Sequence, residues 1–218
     1  MTATLRNESA LDRLISVLDH ALKNAAGCPP AAGRATPTPP PGTETAPLSA
    51  AERRHSAGLM RVNHAGEIAA QALYHGQALV ARDPAVRDFL MHAAREEGDH
   101  LVWCAQRLQE LQSRPSLLGP LWYAGSVAIG IAAGLAGDAT SLGFISETER
   151  QVEGHIDQHL ERLPPDDHRS RAILVQMKED ETSHRQHAIE RGGAKLPTVV
   201  QALMRNSAKI MTKSAYWL

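Results

Sequence analysis

Cysteine, aromatic side chains and net charge are all scarce in this 218-residue sequence, and each shortage removes a class of protein. Only Cys28 and Cys104 are present, too few for a disulfide framework or a zinc ribbon. Aromatic residues make up 4% of the chain, and alternating Val/Ile/Thr/Tyr runs are few, which disfavours an all-β fold. A net charge of −1 lacks the basic excess that displaces counterions from phosphates, so nucleic acid is excluded as a general partner. Residues 1–24 carry charges throughout, and Leu14–Leu18 is too short for the apolar stretch of a signal peptide. The expected compartment is therefore cytoplasmic. What is present is an ordinary globular balance, 43% hydrophobic and 22% charged, with enough chain for one sizeable core. The one excess is histidine, eleven in all.

The chain divides near residue 50. Residues 9–23 fit a short amphipathic helix with Leu11, Leu14, Ile15, Leu18 and Leu22 on one face. Between Cys28 and Leu48 lie seven of the thirteen prolines, so this stretch reads as an extended or mobile linker. Residues 1–50 are accordingly assigned outside the core, and residues 51–218 to one helical domain. Four long helices are expected there: Ser56 to Arg82, Pro84 to about Gln112, Ser141 to Leu163, and Asp166 to Arg191. A last helix spans about Thr198 to Lys213. Each main helix runs about 30 Å or more. Joined by one long connection, they make an all-α four-helix bundle with a crossover and an additional C-terminal helix.

The apolar stripes of these helices carry charges where leucines belong. On the second helix the stripe reads Leu90, Ala94, Glu97, Leu101, Cys104, Leu108 and Leu111, with His100 one turn beyond the glutamate. The fourth reads Leu174, Met177, Glu181, His184 and Ala188. The third reads Leu142, Ile145, Glu149, Val152, Ile156, Leu160 and Leu163, and this periodicity selects Glu149 over Glu147 and Glu153. On the first helix Glu67 lies one helical repeat from Met60 and Tyr74. A buried carboxylate is costly unless it is paired, hydrogen-bonded or bound to metal, and for four in one core a multivalent cation is the simplest remedy. Glu67 precedes Glu97-x-x-His100 by 30 residues, and Glu149 precedes Glu181-x-x-His184 by 32. One Glu-x-x-His on a helix is ordinarily a solvated pair. Two of them, each with a glutamate on the preceding helix, point to a two-metal site with pseudo-two-fold symmetry.

This layout resembles that of ferritin-like di-iron and di-manganese carboxylate proteins. Mixed carboxylate and imidazole ligation suits Fe or Mn. The class implies Glu97 and Glu181 as bridging ligands, Glu67 and Glu149 as terminal ones, and one metal on each of His100 and His184. Cys104 reads as a small core residue. His155 stands either beside the site or in a surface or capping role, and His64, His75, His92 and His187 read as structural or exposed.

The segments LMRVNHAGEIAAQALYHGQ (59–77), EEGDHLVWC (96–104), ETERQVEGHIDQHL (147–160) and KEDETSHRQHA (178–188) resemble the demethoxyubiquinone hydroxylase family of ubiquinone biosynthesis. The likeness spans about residues 55–218, and the family's iron ligands fall on the same six residues. Its histidine near the site falls on His155, which implies a catalytic role beside the metals. Some relatives have a tyrosine after that histidine where this chain has Ile156, and the proline-rich residues 28–48 have no placed counterpart. The resemblance implies an O2-dependent monooxygenase with two Fe ions per chain. Its substrate would be a polyprenyl demethoxy-benzoquinol, 2-polyprenyl-3-methyl-6-methoxy-1,4-benzoquinol, hydroxylated on the ring with electrons from a donor the sequence does not name. Self-association into a homo-oligomer stays open. The rival classes are an iron-oxidising storage protein and a non-catalytic quinone or lipid carrier.

Residues 115–137 carry no charge, but Pro115, Pro120 and several glycines interrupt them. A single span would put the ligand helices on opposite sides of a bilayer. The segment is therefore either a crossover packed on the bundle or a piece lying in the membrane interface, with Trp122-Tyr123 suited to the latter. No acid follows Glu190, while Arg205, Lys209 and Lys213 recur at helical spacing, favouring an anionic surface. The expectation is peripheral attachment to the cytoplasmic face of the cell membrane.

Overall fold

A computed structural model of the chain describes Ile15, Asp19, residues 33–40, Thr43 and residues 46–218. Apart from Ile15 and Asp19, the helix expected over 9–23 lies outside the described residues, as does Cys28. Residues 46–218 form six helices: α1 (Ala50–Val80), α2 (Pro84–Glu110), α3 (Gly119–Leu135), α4 (Asp138–Arg162), α5 (His168–Glu190) and α6 (Thr198–Trp217). No strand occurs among the described residues. The four long helices α1, α2, α4 and α5 make the bundle, α3 is the crossover, and α6 is the additional C-terminal helix.

Local capping explains where the helices depart from the expected limits. α1 starts ahead of Ser56 because Ser49 and Glu52 form a capping box. The Ser49 hydroxyl accepts the Glu52 N–H at 3.3 Å, and the Glu52 carboxylate accepts the Ser49 N–H at 2.9 Å. α4 starts at Asp138, ahead of Ser141, directly after Gly137, whose φ of 110° is a left-handed backbone that favours glycine. The Asp138 carboxylate accepts the N–H groups of Arg82 and Asp83 at 3.1 and 2.8 Å, tying the α1–α2 turn to the start of α4. The cap of α5 is Asp167 rather than Asp166. It accepts the Ser170 N–H at 3.0 Å and Nη2 of Arg107 at 2.9 Å, so one buried carboxylate caps a helix and fastens it to α2.

The core has two apolar layers. One gathers Leu59, Met60, Trp103, Cys104, Leu108, Ile156, Ile173, Leu174 and Met177. The other gathers Tyr74, Ala78, Leu90, Ala94, Leu142, Ile145 and Ala188. On each bundle helix the stripe glutamate falls between the two: Glu67 between Met60 and Tyr74, Glu97 between Ala94 and Cys104, Glu149 between Ile145 and Ile156, Glu181 between Met177 and Ala188. The cysteine is a free thiol enclosed in the first layer. Cys104 is thus a packing residue.

The uncharged connection packs on the outside of α1, against its backbone. A methyl group at Gly76 of α1 would overlap the Val127 carbonyl of α3, and one at Gly130 of α3 would overlap the Leu73 carbonyl of α1. Glycines at the crossing let the two helices meet without side chains between them. That contact uses one face of α3 and leaves Leu121, Ile129 and Leu135 exposed, together with Leu117 just ahead of the helix. The aromatic pair turns inward: Tyr123 is buried against Ile68, Ala72 and Leu101, and Trp122 packs on Val62, Ala65 and Ala215. No helix among the described residues is long and apolar enough to cross a membrane.

If the α1–α3 crossing depends on these glycines, Gly130→Leu should destabilise the fold by about 1–3 kcal/mol through overpacking. Urea unfolding with an unchanged midpoint would show that α3 does not sit on α1 as described.

Candidate metal centre

The sites selected by helical periodicity converge between the two apolar layers. Glu67, Glu97, His100 and Glu181 offer one ligand atom each within 4.8 Å of one another, and Glu97, Glu149, Glu181 and His184 do the same. Glu97 and Glu181 belong to both groups. Each group adds one further glutamate and one histidine, so the geometry is that of two neighbouring positions sharing two carboxylates. All six residues are buried, none more than 3% exposed.

Each histidine presents Nδ1 to the carboxylates. His100 Nδ1 lies 3.3 Å from Glu67, 3.2 Å from Glu97 and 3.3 Å from Glu181. His184 Nδ1 lies 3.3 Å from both Glu97 and Glu181. The opposite ring nitrogens face a second pair of acids. His100 Nε2 meets Asp180 at 2.8 Å, and His184 Nε2 meets Glu96 at 2.9 Å. The supports are crossed: α5 supplies the acid behind the α2 histidine, and α2 the acid behind the α5 histidine. Such outer carboxylates fix the tautomer and the ring plane of a metal-binding imidazole. Tyr74 completes the shell, its hydroxyl donating to Glu149 at 2.5 Å and its ring standing edge-on to His184.

The charge balance of these groups fits a bound cation. Burial, and then the charges on Glu97 and Glu181, push the carboxyls of Glu67 and Glu149 well above their usual range. Burial alone would lower both imidazoles, but the surrounding carboxylates outweigh it and raise His100 and His184. Glu97 is moved down despite its burial, because it accepts from both imidazoles. Glu149 Oε2 remains buried without a hydrogen-bond partner among the described residues, and Glu97 Oε1 has His184 Nδ1 at 3.3 Å but no hydrogen bond of good geometry. Buried carboxylate oxygens lacking a donor are satisfied by a metal ion. The donor set, four carboxylates and two imidazoles, suits a pair of Fe ions.

The acids rejected by periodicity have partners of their own. Glu147 pairs with Arg150 at 2.7 Å, and Glu153 with Arg185 at 2.6 Å. His155 packs against His159, ring centroids 4.6 Å apart, and His159 Nδ1 donates to Asn63 Oδ1 at 3.1 Å. Burial pushes His64 down to about 4 and leaves it neutral. His75 meets the Tyr123 hydroxyl at 3.2 Å, His187 is exposed, and exposed His92 lies 3.2 Å from Glu96. Sequence reasoning did not single out Glu96, Asp180 or Tyr74 for the site. A signal for the first two was present, since an acid directly precedes each Glu-x-x-His pair.

Metal content separates these roles. Glu97→Ala and Glu181→Ala should each lose both ions, because each removes a shared carboxylate. Glu153→Ala should keep both, since its partner is Arg185. Elemental analysis of reconstituted variants that finds equal loss in all three would refute the shared-carboxylate assignment.

Comparison with known proteins agrees with the geometry. The family model described as ubiquinone biosynthesis protein COQ7 matches residues 54–215. The chain is 56% identical over 214 residues to the 3-demethoxyubiquinol 3-hydroxylase of Ralstonia pickettii, covering 94% of this chain and 99% of that one. The corresponding protein of Cupriavidus taiwanensis is 58% identical over 206 residues, at 94% and 99% coverage. That of Bordetella avium is 54% identical over 216 residues, at 99% of both chains. With the six ligands in one buried layer and this likeness running nearly end to end, the chain belongs to the COQ7 family of ubiquinone-biosynthesis proteins.

Proposed function

We propose that the protein is an O2-dependent di-iron monooxygenase that hydroxylates the ring of a polyprenyl demethoxy-benzoquinol, the activity for which its relatives are named. The observation that carries this reading is the pair of four-residue clusters joined through Glu97 and Glu181. When bound there, two irons supply the place where O2 is reduced and the electrons that begin its reduction. In such a hydroxylation one oxygen atom enters the ring and the other leaves as water, which takes up two protons and two electrons, the electrons coming from an external reductant. The chain's part is positional. Glu97 and Glu181 come from different helices and set the separation of the two positions. Tyr74 holds Glu149 in place, and Asp180 and Glu96 hold the two imidazoles. The apolar layers above and below keep bulk water from the reacting groups.

A storage protein and a quinone carrier are the competing classes. A carrier gives no reason for six buried ligands in one layer. A storage cage fits poorly with the exposed apolar residues of α3. Mass analysis of the quinones in a deletion strain decides among them. Complementation with this chain should convert the accumulated demethoxyquinone into its hydroxylated product, and the Glu97→Ala variant should not. Iron binding without any such conversion would refute the hydroxylase reading.

The same reading puts the protein peripherally on the cytoplasmic face of the membrane, where a polyprenyl tail resides. Support comes from two exposed apolar faces. α3 offers Leu121, Ile129 and Leu135, with Leu117 just ahead of it, and α6 offers Val199, Leu203, Ile210 and Trp217. The Leu117 N–H donates to the Leu218 carbonyl at 3.1 Å, so the start of α3 adjoins the end of α6. Arg205, Lys209 and Lys213 are exposed on α6, each contributing about 1 kcal/mol at an anionic surface. High salt should release the protein from anionic liposomes in part and detergent completely. Leu121→Glu with Trp217→Glu should weaken liposome binding and slow turnover of a long-chain quinol more than of a short-chain one. Unchanged binding and chain-length preference would remove the membrane face from this reading.

A further inference from the structure

The two metal positions have matching inner ligands but different outer ones. Behind His184, Glu96 lies 3.2 Å from His92, whose side chain is 64% exposed, and among the described residues Arg34 acts on it through charge without a hydrogen bond. Behind His100, Asp180 is engaged by a guanidinium that comes from outside the bundle. Nη1 of Arg34 lies 2.9 Å from the same Asp180 oxygen, Oδ2, that faces His100 Nε2. An arginine keeps its charge at any working pH and offers a rigid fork of donors, which His92 does not.

Arg34 is itself held firmly. Its Nε donates to Asp99 Oδ2 at 2.8 Å, and the backbone N–H of Gly33 donates to Asp99 Oδ1 at 2.6 Å. The guanidinium carbon stands 4.8 Å from the centre of the Trp103 ring, a cation–π arrangement. The Trp103 indole N–H points back to the Arg34 carbonyl at 3.5 Å. Trp103 is fully buried, and its ring centroid is 5.2 Å from that of His100. Two routes thus lead from Arg34 to one histidine, one through Asp180 and one through Trp103. Further along the segment, Thr36 bonds Gln106 of α2, and Arg169 of α5 reaches the Pro37 carbonyl at 3.4 Å. Composition assigns this stretch to a linker outside the core, yet residues 33–37 lie as a strap across α2 and α5.

We propose that Arg34 is a positioning residue for the metal site at His100, and that this strap makes the two metal positions inequivalent. By bridging Asp99 and Asp180, Arg34 fixes the acid that orients the His100 ring, while the acid behind His184 has no such clamp. The proposal rests on the di-iron reading above and deepens it. Loss of an outer-shell partner lowers metal affinity by about 10–100-fold, and here the loss should fall on one position only.

The test compares wild-type protein with Arg34→Gln, Arg34→Lys and Arg169→Gln. Anaerobic Fe(II) titration against a chromophoric chelator measures affinity, and Mössbauer spectra of the 57Fe-loaded diferrous protein read each iron separately. In Arg34→Gln one ion should bind about 10–100-fold more weakly, and one spectral component should shift while the other stays. Arg34→Lys should recover part of the affinity, since it restores the charge but not the two-carboxylate fork. Arg169→Gln touches the strap without touching a ligand's partner, and should match wild type in both readouts. Circular dichroism of the metal-free proteins should show the same helical content in wild type and Arg34→Gln, so that weakening of one ion is not a loss of fold. Two unchanged irons in Arg34→Gln, or two equally weakened ones, would overturn the proposal. Absence of iron uptake by the wild-type protein would instead overturn the di-iron reading itself.

Discussion

Glu97 and Glu181, two carboxylates shared between adjacent clusters at the centre of a helical bundle, impose the condition that the surrounding structure meets. Charges at that depth are held only by counter-charge and hydrogen bonds of good geometry. The two imidazoles supply part of this, Tyr74 supplies a donor to Glu149, and the oxygens left over mark the place of a cation. The helices that carry the ligands must therefore stay in register. The Ser49–Glu52 capping box, the Asp138 contact with the α1–α2 turn, and the Arg107–Asp167 pair between α2 and α5 maintain that register away from the centre. The apolar layers on either side keep water out and the local dielectric low, which strengthens each of these contacts.

The crossed supports give the centre a rigidity that neither helix hairpin has alone. Asp180 of α5 braces a ligand of α2, and Glu96 of α2 braces a ligand of α5, so a shift between these helices strains both imidazoles together. The inner shell is nearly symmetric about the pseudo-two-fold axis. Symmetry fails outside it, where Arg34 stands behind one brace and an exposed histidine behind the other.

Away from the centre, α3 shows how one sequence feature meets two demands. Glycine and alanine allow backbone contact with α1, and the leucines and isoleucine on the remaining face stay uncovered. An uncharged segment can thus be part of the folded domain without entering its core. Of the alternatives open at the level of sequence, the packed crossover is what the inner face of α3 makes against α1.

The helical class, the four long helices and the six candidate ligands can all be read from residue order alone. Burial forces a 3.6-residue periodicity on each helix, and a glutamate on an apolar stripe stands out against it. Glu149 could be separated from Glu147 and Glu153 on that ground, and the arginine partners of the latter two show the physical counterpart. Helix limits were less legible, because Ser49–Glu52 and Gly137–Asp138 act through local hydrogen bonds that hydrophobic spacing does not register. Only the tertiary structure decided what meets across elements: Asp180 with His100, Glu96 with His184, Tyr74 with Glu149, and Arg34 with Asp180 and Trp103. Those contacts join residues up to 146 positions apart, as in Arg34 with Asp180, and no periodicity within one helix encodes them. The strap is the extreme case, since its proline-rich composition excludes helix but leaves its docking surface to be chosen by two acids and a tryptophan on the folded bundle.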